Sequence, residues 1–211
     1  MKIIYIILLM VFVSDICVGK SHTRPPRILS LSTAATHILI QLGCPPAAID
    51  EYGKIATGKE NPPVIGKGSA VSREKMVELN IDTAVLWYYQ LALSRELKLK
   101  GIQVRTVAKL RLETYPELIK QLGELVGKKA KAEKLCKKFK ETLNKVAGAG
   151  GKKRRVYFEL YAAGKCAGEQ SYIGDLVKAA GGKNIIRKTG LVSQETIIGQ
   201  SPEVIFYIKG F

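Results

Sequence analysis

Apolar positions along the 211-residue chain follow two rhythms. Short runs rich in β-branched and aromatic residues recur at Arg27–Leu31 (RILSL), Ala48–Tyr52, Thr83–Trp87, Ile102–Val107, Arg155–Tyr161 and Val204–Ile208. Such runs, nearly continuous rather than alternating, predict strands buried on both faces of a largely parallel sheet. Between them lie stretches with helical spacing. Ser32 or Thr33 caps a helix to Leu42, stopped by Gly43. Leu91–Lys100 predicts a helix ending at Gly101, and Tyr115–Val126 one with Pro116 in its first turn. From Lys129 to Val146, Ala132, Leu135, Phe139, Leu143 and Val146 form one apolar stripe on a Lys-rich helix, broken by Ala147–Gly151. A Gly-rich loop is predicted at Ala163–Gly168, then a helix capped by Ser171 and closed by Gly181-Gly182.

One unit occurs twice. Val71–Tyr88 (VSREKMVELNIDTAVLWY) and Val192–Ile208 (VSQETIIGQSPEVIFYI) align without a gap at an offset of 121 residues. Val71, Ser72 and Glu74 meet Val192, Ser193 and Glu195; Met76 meets Ile197, and Asp82 meets Glu203. In each copy a Ser caps a short helix, the preceding Val packs four residues ahead, and an apolar β-run follows a turn. Each also puts a Glu in the first helical turn. A duplicated helix–strand unit this far apart predicts two similar lobes. The fold expected is α/β, with two Rossmann-like lobes of parallel sheet joined by one long rigid helix. Its divisions are an N-terminal lobe over residues 24–126, a linker helix over 127–147 and a second lobe over 152–211. The second lobe holds fewer strand–helix units than the first and is expected to be incomplete.

Hydrophobic content of 46% and charge of 25% are ordinary for a globular protein. The net charge of +16 is not, and implies an anionic partner: a membrane surface, a charged ligand or nucleic acid. Lys2 followed by the unbroken apolar run Ile3–Val13 predicts a signal peptide over residues 1–19, cleaved after Gly19; a lipid anchor at Cys17 is the alternative. The protein is therefore expected on the extracytoplasmic side of the membrane, in the periplasm where there is one. Removal of Cys17 leaves Cys44, Cys136 and Cys166, an odd set that allows one disulfide and one free thiol.

The motifs of common enzyme classes are absent: there is no P-loop, no GxSxG and no HExxH, and the glycines at 148–151 follow a helix rather than a strand. No catalytic residue or intrinsic cofactor is expected. Nucleic-acid binding is motivated by the net charge alone, since basic and aromatic residues are not interleaved as in RNA-binding motifs.

The blocks RILSLSTAATHILIQLG, SREKMVELNIDTAVLW, GEQSYIGDLVKAAGGKNI and SQETIIGQSPEVIFY resemble, in order, those of the periplasmic substrate-binding proteins of ABC importers for cobalamin, haem and ferric siderophores. Ile81 stands where that family usually has Pro, and family members usually continue with further α/β units. The resemblance implies a non-catalytic protein that holds a metal chelate between its lobes. It would deliver that ligand to a permease dimer served by a cytoplasmic ATPase. It also implies that Glu74 and Glu195 dock into arginine pockets on the permease. The ligand is expected at the carboxyl ends of the strands, against Trp87, Tyr88, Tyr89, Tyr52 and Tyr161, whose flat faces suit a tetrapyrrole or aromatic chelate. Lys165 and Arg105 are weaker candidates to meet an anionic chelate. His37 is a weak candidate metal ligand. The readings left beside this one are a basic exported protein that binds nucleic acid or another anion, and a non-functional fragment of a binding protein.

Overall fold

The computed structural model describes residues 24–148 and 152–208. The N-terminal elements are β1 (Ile28–Ser30), α1 (Thr33–Gln41), β2 (Ala48–Ile49), β3 (Gly66–Lys67), β4 (Ala70–Val71), α2 (Arg73–Glu78), β5 (Thr83–Trp87), α3 (Leu91–Leu99), β6 (Gln103–Val107) and α4 (Tyr115–Leu125). The chain continues through α5 (Lys129–Gly148) into β7 (Arg155–Glu159), β8 (Lys165–Cys166), α6 (Tyr172–Ala179), β9 (Lys183–Asn184), β10 (Gly190–Leu191), α7 (Gln194–Gly199) and β11 (Val204–Tyr207).

In the first lobe β2, β1, β5 and β6 lie side by side in that order, every neighbour parallel. Both faces of this sheet are covered, which explains its continuous apolar runs. Ile28, Val85 and Val107 pack with α1, α4 and the start of α5; Leu29, Leu31, Ala84 and Leu86 pack with Met76 of α2 and Leu93 and Leu97 of α3. α1 begins where the Ala35 N–H donates to the Ser32 hydroxyl at 3.3 Å. The join between α4 and α5 is tight: a Cβ at Gly123 would overlap the Ala132 methyl. α5 packs on both α4 and α6, so a single helix bears on both lobes.

The second lobe is built on β7, with β11 parallel on one side and β9 parallel with β8 antiparallel on the other; β10 pairs with β8. Its buried apolar cluster is small, centred on Tyr157, Cys166 and Ile186.

Two expectations need correction. The second strand stops at Ile49 rather than Tyr52, because Asp50 turns the chain. Its buried carboxylate accepts from Gly53 N–H at 3.0 Å and Gly68 N–H at 3.1 Å, starting a 3-10 turn over Glu51–Ala56. The Gly-rich segment Ala163–Gly168 contains β8 instead of being loop throughout, since Lys165 and Cys166 find backbone partners in β10. No disulfide links the cysteines among the described residues; Cys44, Cys136 and Cys166 are all free. Cys136 Sγ contacts the Pro116 carbonyl and Cys166 Sγ the Gly190 carbonyl, each at home in a different lobe. Burial pushes both thiols above the ordinary cysteine range. The apolar N-terminal run and Cys17 lie outside the described residues.

Candidate functional site

Parallel sheets present their binding crevices at the carboxyl ends of the strands, where the connecting loops and helix starts converge. A cavity of about 370 Å³ opens there. β5 delivers Trp87; the start of α1 delivers Thr33, Ala34 and His37; the 3-10 turn supplies Ile55 and Ala56. Leu110 follows β6, and Tyr115 opens α4. The wall from the second lobe is Tyr172, first residue of α6. The cavity is thus an interlobe site with three aromatic rings. Tyr115 and Tyr172 sit with ring centroids 6.1 Å apart. Burial pushes the Tyr115 phenol up to about 12 and the Tyr172 phenol upward as well, so both stay neutral donors across the physiological range.

Of the aromatic residues expected at the ligand, Trp87 lines this cavity, while Tyr88, Tyr89 and Tyr52 are exposed and lie outside its lining. Trp87 and Tyr89 stack at 6.3 Å with an interplanar angle of 8°, and Tyr88 meets Tyr89 edge-on at 5.4 Å. The Tyr52 carbonyl accepts from the hydroxyl of Thr33, a lining residue, at 3.3 Å, and Lys67 Nζ lies 5.6 Å from the Tyr52 ring. Partial burial, with the carboxylate of Asp50 nearby, raises the Tyr89 phenol. Tyr161 is not brought to the cavity wall; it stands exposed between β7 and β8 with Lys165 Nζ 4.4 Å from its ring. Arg105 lies on the outer edge of the first sheet, beside a different cavity. His37 is exposed, its Nε2 2.6 Å from the Gln41 amide nitrogen, and no cluster of three metal-ligating residues occurs among the described residues.

Tyr115 and Tyr172 escaped the sequence reading. Both are opening residues of helices, and only the tertiary packing brings their rings together, tilted by 43° to each other. Their signal was an aromatic side chain at a helix start, just before Pro116 and just after the Ser171 cap.

One further pair ties the lobes together beside the cavity. Arg111, in the loop after β6, grips Asp175 of α6 with Nε–Oδ2 and Nη2–Oδ1 each at 2.6 Å, and the Leu112 N–H donates to Oδ2 at 3.1 Å. The guanidinium holds the Asp175 carboxyl below its ordinary range. This two-pronged geometry fixes orientation as well as distance, which a single point charge cannot do.

Glu74 and Glu195 occupy matching exposed positions in the first turns of α2 and α7. A hydrogen bond from the Ser193 hydroxyl lowers the Glu195 carboxyl. The other acids of the repeat, Asp82 and Glu203, have a structural task. Asp82 accepts from the Arg27 N–H at 3.0 Å and Glu203 from the Arg155 N–H at 2.8 Å, so each latches the first strand of its lobe.

Comparison with known proteins agrees with this architecture. The vitamin B12-binding protein of Salmonella paratyphi A is 24% identical over 193 residues, 85% of this chain and 71% of that protein. The periplasmic heme-binding protein of Roseiflexus sp. RS-1 superposes with a TM-score of 0.76 at 20% identity, covering 87% of this chain and 76% of that one. The periplasmic vitamin B12-binding protein of Vibrio cholerae gives 0.73 at 19% identity, with 87% and 76% covered. The two solved structures share the fold: α/β lobes with helices on the sheets. The sequence model described as periplasmic binding protein matches residues 28–209. With that match spanning both lobes and the cavity between them, the chain belongs to the periplasmic binding protein family and is a binding protein rather than an enzyme.

Proposed function

We propose that the chain is the extracytoplasmic solute-binding component of an ABC importer, and that it captures cobalamin, haem or a ferric siderophore between its lobes. The observation that carries this reading is the interlobe cavity walled by Trp87, Tyr115 and Tyr172. Three rings from three separate elements offer polarizable apolar faces to a flat chelate, while Thr33 and the tyrosine hydroxyls supply a few polar contacts. The names of the relatives, which bind vitamin B12 and heme, support the same ligand class. Tyr88, Tyr89 and Tyr52 extend the aromatic surface outward to meet an incoming ligand, and Tyr161, exposed just after the carboxyl end of β7, adds a ring from the second lobe.

Trp87 is the single tryptophan of the chain, so its fluorescence reports on the site without interference. Titration with cobalamin, haem and a ferric siderophore is expected to quench it saturably for one of them. No response to any of the three overturns the reading.

Delivery is assigned to Glu74 and Glu195. Each carboxylate stands exposed at the start of a short helix, one on each lobe, and arginine pockets on a permease dimer are their chemical complement. Replacing both by Ala is expected to leave chelate binding intact and to abolish uptake into cells carrying the permease and its ATPase. Uptake retained in the double variant removes the docking role.

A further inference from the structure

The aromatic cavity has a neighbour. His37, Tyr115 and Tyr172 line it on one side and, on the other, a second cavity of about 260 Å³ between α1, α4 and α5. Tyr115 is the partition, its ring 5.0 Å from that of Phe139 on α5 and 6.1 Å from that of Tyr172. The chambers differ in chemistry. The first is mostly apolar and aromatic. The second has an apolar floor of Ile119, Leu135 and Phe139, and a rim carrying the Lys138 ammonium, the His37 imidazole and the Gln41 amide. No carboxylate lines either chamber, and Lys138 enters no ion pair among the described residues.

An apolar floor beneath a cationic rim with no counter-charge suits a short alkyl arm that ends in an anion. We infer that this second chamber is a subsite for a carboxylate-bearing arm of the same ligand whose flat body occupies the first. The arm passes over His37, one of the three residues the chambers share, and its carboxylate meets Lys138. The inference rests on the proposed function and narrows it. A planar tetrapyrrole with alkyl carboxylate arms fills both chambers, whereas a corrinoid whose arms end in neutral amides brings no charge to Lys138. Its net charge of +16 gives the chain a favourable field for such an anion.

The probes are iron(III) protoporphyrin with free carboxylates and its dimethyl ester, titrated against the full chain and its Lys138→Glu variant. Lys138 is exposed on its helix, so the variant tests charge without disturbing the core. The wild type is expected to bind the free acid about tenfold tighter than the ester, the scale of one charge-assisted hydrogen bond at a partly wet site. Lys138→Glu is expected to erase that preference by weakening the acid form and leaving the ester unchanged. Equal binding of acid and ester, or a preference untouched by the substitution, overturns the subsite and leaves the proposed function standing. Binding of cobalamin or a ferric siderophore but of neither porphyrin does the same. If none of these chelates binds, the parent reading falls and the subsite with it.

Discussion

The two copies of the helix–strand unit have nearly the same local structure and opposite fates. In each, the Ser hydroxyl accepts from the backbone N–H three residues on, at 3.2 Å in both Ser72–Lys75 and Ser193–Thr196. Each short helix is followed by a left-handed residue at the matching position, Asn80 with φ 50° and Ser201 with φ 44°. Each then latches an arginine at the start of the neighbouring strand, Arg27 to Asp82 and Arg155 to Glu203. Yet Ala84, Val85 and Leu86 of the first copy are wholly buried, while their counterparts Ile205, Phe206 and Tyr207 are 58%, 50% and 70% exposed. β5 has β1 and β6 on its two sides, whereas among the described residues β11 is paired only with β7. Caps and turns are written by residues within one turn of each other. Burial is conferred by strands that arrive from elsewhere.

The free edges extend the contrast. β6, the edge of the first sheet, exposes Gln103, Arg105 and Thr106, polar residues that discourage further pairing. β11 shows apolar side chains at the equivalent place.

Substitutions in the matched strands make the largest test. Leu86→Ala removes a fully buried side chain from the first core and is expected to cost about 3 kcal/mol in chemical denaturation. Tyr207→Ala, its counterpart, is expected to cost less than about 1 kcal/mol. Equal costs would mean that β11 is covered in solution.

The strut between the lobes gives a smaller effect with a definite sign in pH. Arg111→Ala is expected to lower the thermal midpoint at pH 7, and most in signals from the second lobe, whose own core is small. Because Arg111 depresses the Asp175 carboxyl below 3.8, its contribution is complete above that pH and is lost as pH falls through the lower folded value. The gap between wild type and variant should therefore close in strong acid. A gap that persists there assigns the loss to packing of the Arg111 stem instead.

The caps give the smallest effect and the sharpest comparison. Ser72→Ala and Ser193→Ala are each expected to cost about 0.5–1 kcal/mol, nearly alike despite the different burial of their units. Ser193→Ala should also raise the Glu195 carboxyl toward its ordinary value, readable by NMR titration, because it removes the bond that lowers it. A large difference between the two stability costs would show that tertiary context, rather than the cap itself, sets them.

Much of the molecule was legible in the chain because its signals are local. The Ser caps, the Gly43 stop after α1, the apolar stripe of α5 and the repeat at a spacing of 121 residues all act over a few residues or by direct identity. The place of Trp87 in the cavity lining was readable because it is the last residue of β5, at the carboxyl end of a parallel sheet. Other features were not. β2 ends early because Asp50 reaches forward to Gly68, and β8 exists because β10 comes back to pair with it. The cysteine count allowed a disulfide that the placement of the thiols does not make.

By itself, then, the sequence determined the periodicities, the caps and the duplication, since hydrogen bonds within one turn and the rhythm of apolar residues need no distant partner. Only the tertiary structure decided which copy of the repeat is buried. It also decided that Arg111 meets Asp175, and that Tyr115 and Tyr172, 57 positions apart in the chain, close one cavity with Trp87. Those contacts depend on where the long helix sets the second lobe against the first, a geometry that no local stretch of residues contains.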